Sequence, residues 1–263
     1  MRSTAVRRTA LAAAAASLVL LVTACGGDGS GGDGDTKDKG GETGAAEPAA
    51  KALTVAELEK LAIAQGDVKG HKVAKAGPQD DIAAKDVTTD QAECLPLARA
   101  LAGVPVGEPG ATVKRRATAE PKDAGKDAGD MTEEELGDAF TDAFDITTTL
   151  LALSSYEGKG AADGFAALKT AGTACSGGFT MTVAGTEQKV QKFAEAKVSG
   201  GDEAVAWAMT ADQGGESLPF NLAVVRKGGS LVTFSSFNLT APTEKGDLPL
   251  PTAVIDAQAA KLG

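Results

Sequence analysis

Glu203-Ala204-Val205-Ala206-Trp207-Ala208-Met209-Thr210, Leu218-Pro219-Phe220-Asn221-Leu222-Ala223-Val224-Val225-Arg226 and Leu231-Val232-Thr233-Phe234-Ser235-Ser236-Phe237-Asn238-Leu239 are three apolar runs parted by short polar turns. Val205, Trp207 and Met209 alternate onto one side, as do Phe220, Leu222 and Val224, and a period of two is the strand signature. Lys227-Gly228-Gly229-Ser230 joins the last two runs with a hairpin signal. Working back, Val190–Val198 follows Gly185-Thr186, and Phe179–Ala184 precedes it. Strands joined by short turns pair antiparallel, because parallel neighbours need a crossover of a dozen residues or more. The expectation is an α+β fold: an antiparallel meander of about five to six strands with three to four helices packed on it. Thr147–Tyr156 reads as a further strand, Val113–Ala117 as a shorter one, and Val68 and Val73 lead into a short extended segment.

The helices come from a different period. Thr54-Val55-Ala56-Glu57 has the capping-box pattern, with Val55, Leu58, Leu61 and Ala62 on one face and a stop near Gln65-Gly66. Leu95–Leu101 carries Pro96 in its first turn and ends at Gly103. Thr132-Glu133-Glu134-Glu135 repeats the capping box ahead of Leu136, Phe140 and Phe144. After Gly158 and Gly160, residues Phe165, Leu168, Gly172 and Cys175 recur at helical spacing, so Cys175 points inward at the helix end before Ser176-Gly177-Gly178. Past Pro251, a last helix buries Val254, Ile255, Ala259 and Leu262 and turns Asp256 and Lys261 to water. Residues 119–131 are of low complexity and read as a mobile loop.

The chain's beginning says where it works. Residues 1–24 have Arg2, Arg7 and Arg8, then an apolar core of about 12 residues from Leu11 to Val22, too short to span a bilayer. Val22-Thr23-Ala24-Cys25 resembles the lipobox of a bacterial lipoprotein, in which Cys25 receives a diacylglyceryl group and becomes the first mature residue. The alternative is an ordinary secretory leader cut near Ala24. Arg7-Arg8 ahead of Leu11 matches the twin-arginine export pattern in part, and adjacent arginines also occur in ordinary basic leaders. Residues 25–51 are Gly, Asp, Lys, Glu, Thr and Ala without a large apolar side chain, a disordered tether. About 210 residues, 52–263, remain for one folded domain.

Charge and cysteines narrow the partners. The formal charge is −10, and losing the three leader arginines makes it −13. That excludes a nucleic-acid partner, which needs a basic face, and adhesion to anionic headgroups by charge. Membrane contact is therefore expected through the acyl chains on Cys25 alone. With Cys25 acylated, Cys94 and Cys175 remain, and in an oxidising compartment they read as one disulfide; two buried free thiols are the alternative.

Catalytic constellations are not evident. His71 is the sole histidine, between Gly70 and Lys72, and no G-x-S-x-G elbow accompanies it; a solvated turn is the simpler reading. Histidine-based zinc sites fail for the same reason. Gly158-Lys159-Gly160 lacks the pattern around either nucleotide loop, so a helix start explains it. Asp130, Glu133, Glu134, Glu135 and Asp138 match no ordered calcium spacing and read as a solvated helix face. Lys114-Arg115-Arg116 reads as a solvated strand end. Trp207 is a weak candidate for a ligand platform, against a plain core tryptophan. No cofactor or metal is expected.

Several stretches together resemble the PknH-like extracytoplasmic sensor domain attached to actinobacterial membrane Ser/Thr kinases, which also occurs as free lipoproteins. They are Asp67-Val68-Lys69-Gly70-His71-Lys72-Val73, Glu93-Cys94-Leu95-Pro96-Leu97-Ala98, Ser155-Tyr156 before the helix that ends in Cys175, Gly201-Asp202-Glu203-Ala204, Val225-Arg226-Lys227-Gly228, and the closing helix from Pro251 to Leu262. The resemblance spans about residues 52–263. It implies an antiparallel sheet with helices on it, a disulfide and a ligand cleft. The kinase sensors carry two disulfides, and this chain can make one. It also has no kinase or transmembrane segment, so signalling would need another protein. The resulting expectation is a non-enzymatic ligand-binding or sensing domain at the outer face of the cytoplasmic membrane, taking a small or amphiphilic ligand or a wall fragment. The alternative is an interaction scaffold that docks on an envelope protein. A large apolar pocket separates the first from a flat exposed apolar patch for the second.

Overall fold

The computed structural model describes residues 51–121, 131–133, 135–137, 146–213, 215–238 and 248–263. Cys25, the leader, the tether before Lys51, residues 122–130 of the expected loop, Glu134, Asp138, Phe140 and Phe144 lie outside them. Among the described residues nine strands form one sheet: β1 (His71–Lys75), β2 (Val87–Thr89), β3 (Ala111–Ala119), β4 (Thr148–Ser155), β5 (Phe179–Val183), β6 (Thr186–Ala196), β7 (Glu203–Gln213), β8 (Glu216–Lys227) and β9 (Ser230–Phe237). Their order is β1-β3-β4-β9-β8-β7-β6-β5-β2, and every neighbouring pair is antiparallel. The expected meander is the run β5 to β9. The sheet exceeds the five to six strands expected because β4, β3 and β1 extend it beyond β9, and the three-residue β2 closes the other flank. The loop expected from residue 119 begins later, since Ala119 pairs with His71 and the Glu120 N–H donates to the Gly70 carbonyl at 2.8 Å.

Helices cover both faces. The helices α1 (Val55–Leu61), α2 (Leu95–Leu101), α3 (Gly160–Ala174) and α4 (Thr252–Leu262) have full bounds among the described residues. A further one starts after Thr132, where the Thr132 hydroxyl and the Glu135 carboxylate cap each other's backbone N–H. On one face α2 and α3 bury Leu97, Phe165 and Leu168 against Met181, Trp207 and Leu222. On the other, α1 and α4 bury Leu58, Val254 and Ile255 with Val225, Val232 and Phe234. Each large side chain so buried contributes about 1.5–3 kcal/mol. Double cover explains why Val224 and Val225 are both fully buried, where a one-faced antiparallel sheet would wet every second residue.

Three expectations need correction. Val55, expected on the buried face of α1, is 54% exposed, because with Glu59 it borders β1 rather than the core. Lys114-Arg115-Arg116, expected at a solvated end, lies inside β3 between β1 and β4. Arg115 is buried: its Nε donates to the Ile63 carbonyl at 3.0 Å and its Nη2 pairs with Glu59 at 2.7 Å. Arg116 pairs with buried Asp80, and Lys114 Nζ donates to the Asp80 carbonyl at 2.8 Å, where burial lowers its pKa. In α4, Val254 and Ile255 are buried as expected, but Gln258 rather than Ala259 completes the buried face. Its Oε1 accepts from the Ile63 N–H at 3.0 Å, and its Nε2 donates to the Leu61 carbonyl at 2.9 Å. Lys261 points outward as expected and pairs there with Asp67 at 2.8 Å.

Candidate functional site

Cys94 and Cys175 are joined, with Cα atoms 5.9 Å apart and both residues buried. The bond ties the start of α2 to the C-terminal end of α3, the end that packs on Trp207 of β7. One turn before Cys175, Gly172 faces Trp207. A Cβ at Gly172 would lie 2.5 Å from Trp207 Cζ2, so the indole rests directly on helix backbone. Trp207 is 4% exposed and belongs to the apolar cluster, which makes it first a core residue. One edge of it nevertheless lines a cleft of about 250 Å³ between α3 and β6–β7.

The cleft owes its floor to an irregularity in β6. Gln191 pairs with Thr210 and Ala194 with Ala208, so Lys192 and Phe193 together oppose Met209. This bulge changes the parity of the strand. Val190 lies in the α2–α3 cluster, and beyond the bulge Phe193 and Glu195 take that side. The Phe193 ring stands 5.6 Å from the Trp207 ring at 34°, and Val205 completes the floor. Lys169 and Thr173 of α3 form one wall, Ser176 closes the end, and Glu195 stands opposite. The Lys169 ammonium lies 5.9 Å over the Phe165 ring. Neither Lys169 nor Glu195 enters an ion pair among the described residues. The site therefore offers two aromatic faces, one cation and one carboxylate. Sequence reading singled out Trp207 but not Phe193, Glu195 or Lys169, since the bulge that gathers them leaves no mark in the alternation of apolar residues.

The other singled-out residues stay apart from it. His71 opens β1, its Nδ1 3.1 Å from the Lys69 carbonyl. Gly158-Lys159-Gly160 is a tight helix start: Gly158 has φ +55°, and a Cβ on Gly160 would meet Tyr156 at 2.9 Å. Tyr156 donates to the Val106 carbonyl at 2.7 Å, and burial pushes its phenol up to about 12. Among the described residues no three His, Cys, Asp or Glu side chains stand together as metal ligands. No helix among them is long and apolar enough to cross a membrane.

No family model matches this chain, and no curated protein does. Among solved structures it is similar to the extracellular domain of PknH from Mycobacterium tuberculosis, at 14% identity over 81% of this chain and 97% of that one, with a TM-score of 0.45. It is also similar to an uncharacterised protein, the Rv0999 ortholog, from Mycobacterium smegmatis, at 11% identity over 74% of this chain and 88% of that one, with a TM-score of 0.33. Likeness of this degree leaves the site to be read from its own residues.

Proposed function

We propose that this chain is a non-enzymatic, extracytoplasmic binding or sensing domain, held at the outer face of the cytoplasmic membrane by acyl chains on Cys25, and that the Trp207 cleft is its recognition site. The leader and Cys25 support the address, and a disulfide between the two other cysteines fits an oxidising compartment. The observation that carries the site is the pairing of an aromatic floor with two charges that enter no ion pair among the described residues. An apolar group laid on Phe193 and Trp207 leaves water, while Lys169 and Glu195 fix its orientation. A flat docking face finds less support: among the described residues the exposed large apolar side chains are Val55 and Leu136 alone.

Two measurements test this reading. Intact mass of the full chain extracted in detergent should show the leader removed and a diacylglyceryl adduct that Cys25→Ser abolishes; an unmodified Cys25 would remove the anchor. Trp207 is the sole tryptophan, so its emission reports on the cleft without interference. A panel of small aromatic fragments, indole and phenol derivatives among them, should perturb that emission, and Lys169→Ala together with Glu195→Ala should weaken the response. Emission indifferent to every fragment would discard the cleft as a recognition site.

A further inference from the structure

The Trp207 cleft holds about 250 Å³, below the roughly 300–1,000 Å³ typical of small-molecule sites. It has the size of a seat for one side chain, and it adjoins a strand edge that has no partner among the described residues. β5 pairs with β6 only as far as Val190, which stands opposite Phe179; from Gln191 to Ala196 the described partner is β7 alone. Ala194 and Glu195 are exposed there.

The direction of the free groups follows from the ladder. Asp90 N–H donates to the Thr180 carbonyl at 3.1 Å and Ala184 N–H to the Asp86 carbonyl at 2.9 Å, so the even residues of β5 turn their main-chain groups toward β2. Phe179 and Met181 then bond β6, Val190 turns toward β5, and Gln191 turns toward Thr210 of β7. Ala208 and Ala206 share the direction of Thr210, so their partners Ala194 and Ala196 bond inward. Glu195, between those two, directs its N–H and C=O outward.

Of three depressions near β6, one lies where β5 still pairs with it, one on the open stretch and one past its last residue. One lies beside Lys189, Val190 and Gln191, next to Gly177 and Gly178, and holds about 420 Å³. The Trp207 cleft comes next, on the α3 face. The third, about 300 Å³, lies beside Lys197, Val198 and Ser199 against Thr252, Ile255 and Asp256, on the α4 face. Seats on opposite faces of one edge suit the alternating side chains of an added strand.

Building on the cleft reading, we propose that the occupant is an extended peptide segment of another envelope protein. It adds as a strand beside β6, bonds Glu195 through its backbone, lays an apolar side chain on Phe193 and Trp207 and turns a carboxylate to Lys169. The bulge shortens the open edge, so main-chain pairing alone does not suffice and the side chain in the cleft decides which segment binds.

The test uses random nonapeptides displayed on phage and selected against the full chain. Enriched peptides are then synthesised and titrated through Trp207 emission. Glu195→Pro removes the outward N–H while sparing every bond to β7, a position where an edge strand accepts proline. It should bind peptide about tenfold or more weakly than Glu195→Ala, which loses the same carboxylate but keeps the N–H. In the unaltered chain, peptide should slow hydrogen exchange at the Glu195 amide, with the already bonded Ala194 and Ala196 amides unchanged; this holds the proposal to account if the proline variant misfolds. Selection that enriches nothing, equal affinity for both variants, or an unprotected Glu195 amide would overturn it. Fragments that still perturb Trp207 emission in that case would leave the cleft as a small-molecule site.

Discussion

Gly172 and Trp207 meet through a contact that tolerates no added atom. Gly172→Ala should cost about 1–3 kcal/mol, the usual penalty for forcing a methyl group into a filled interior, and should shift Trp207 emission as the indole is pushed toward the cleft. Urea denaturation followed by circular dichroism gives the first effect and fluorescence the second; an unchanged midpoint would mean that the helix slides to make room. Helical spacing had put Gly172 on the inward face, and alternation had put Trp207 on an inward face, but neither pattern says that the two touch. Arg115 and Gln258 were illegible for a related reason. A charged or amide side chain among apolar neighbours reads as solvated until its partner is known, and Gln258 finds its partner 195 residues away.

Among the elements, the ones joined by tight turns were readable and the ones joined at long range were not. β7, β8 and β9 follow one another closely, the last two through the Gly228-Gly229 turn, so alternation and glycine placement fix their pairing. β4 pairs with β9 across some eighty residues of intervening chain, and β2 shows only three residues of pattern. The disulfide acts at this scale. It closes a span of 81 residues and holds α2 to α3, the helix that walls the cleft. Replacing both cysteines with alanine should cost about 2–5 kcal/mol in the urea midpoint. It should also broaden Trp207 emission, since α3 then lacks its fixed end. A variant as stable as the parent would show that packing alone seats α3.

For the molecule as a whole, acidity is the condition that tests its charge pairs. Glu59 is held below the usual carboxyl range by hydrogen bonds from Arg115 and Lys75. Asp67 is held there by Lys261 and the Ala64 N–H, and Asp202 by the Gly228 N–H. Each binds its proton less readily folded than unfolded, so its contribution is whole above the unfolded value near pH 4 and disappears as pH falls through the lower native value. The urea midpoint should therefore drop between about pH 5 and pH 3, and Glu59→Gln should flatten part of that drop. A midpoint with the same slope in both proteins would show that the Glu59 pair adds nothing. Double cover was the part of the architecture least visible beforehand. Phe234 and Val232 look no different in sequence whether one layer of helices or two lies over them.

The Gln258 bridge has a bearing on how the chain is made. Ile63 and Leu61 are synthesised almost two hundred residues ahead of the amide that satisfies their backbone. A nascent molecule halted between β9 and residue 258 carries a sheet whose α4 side is not fully covered and a first helix without its amide partner. Closure of this side of the sheet therefore waits on residues far downstream of the first helix.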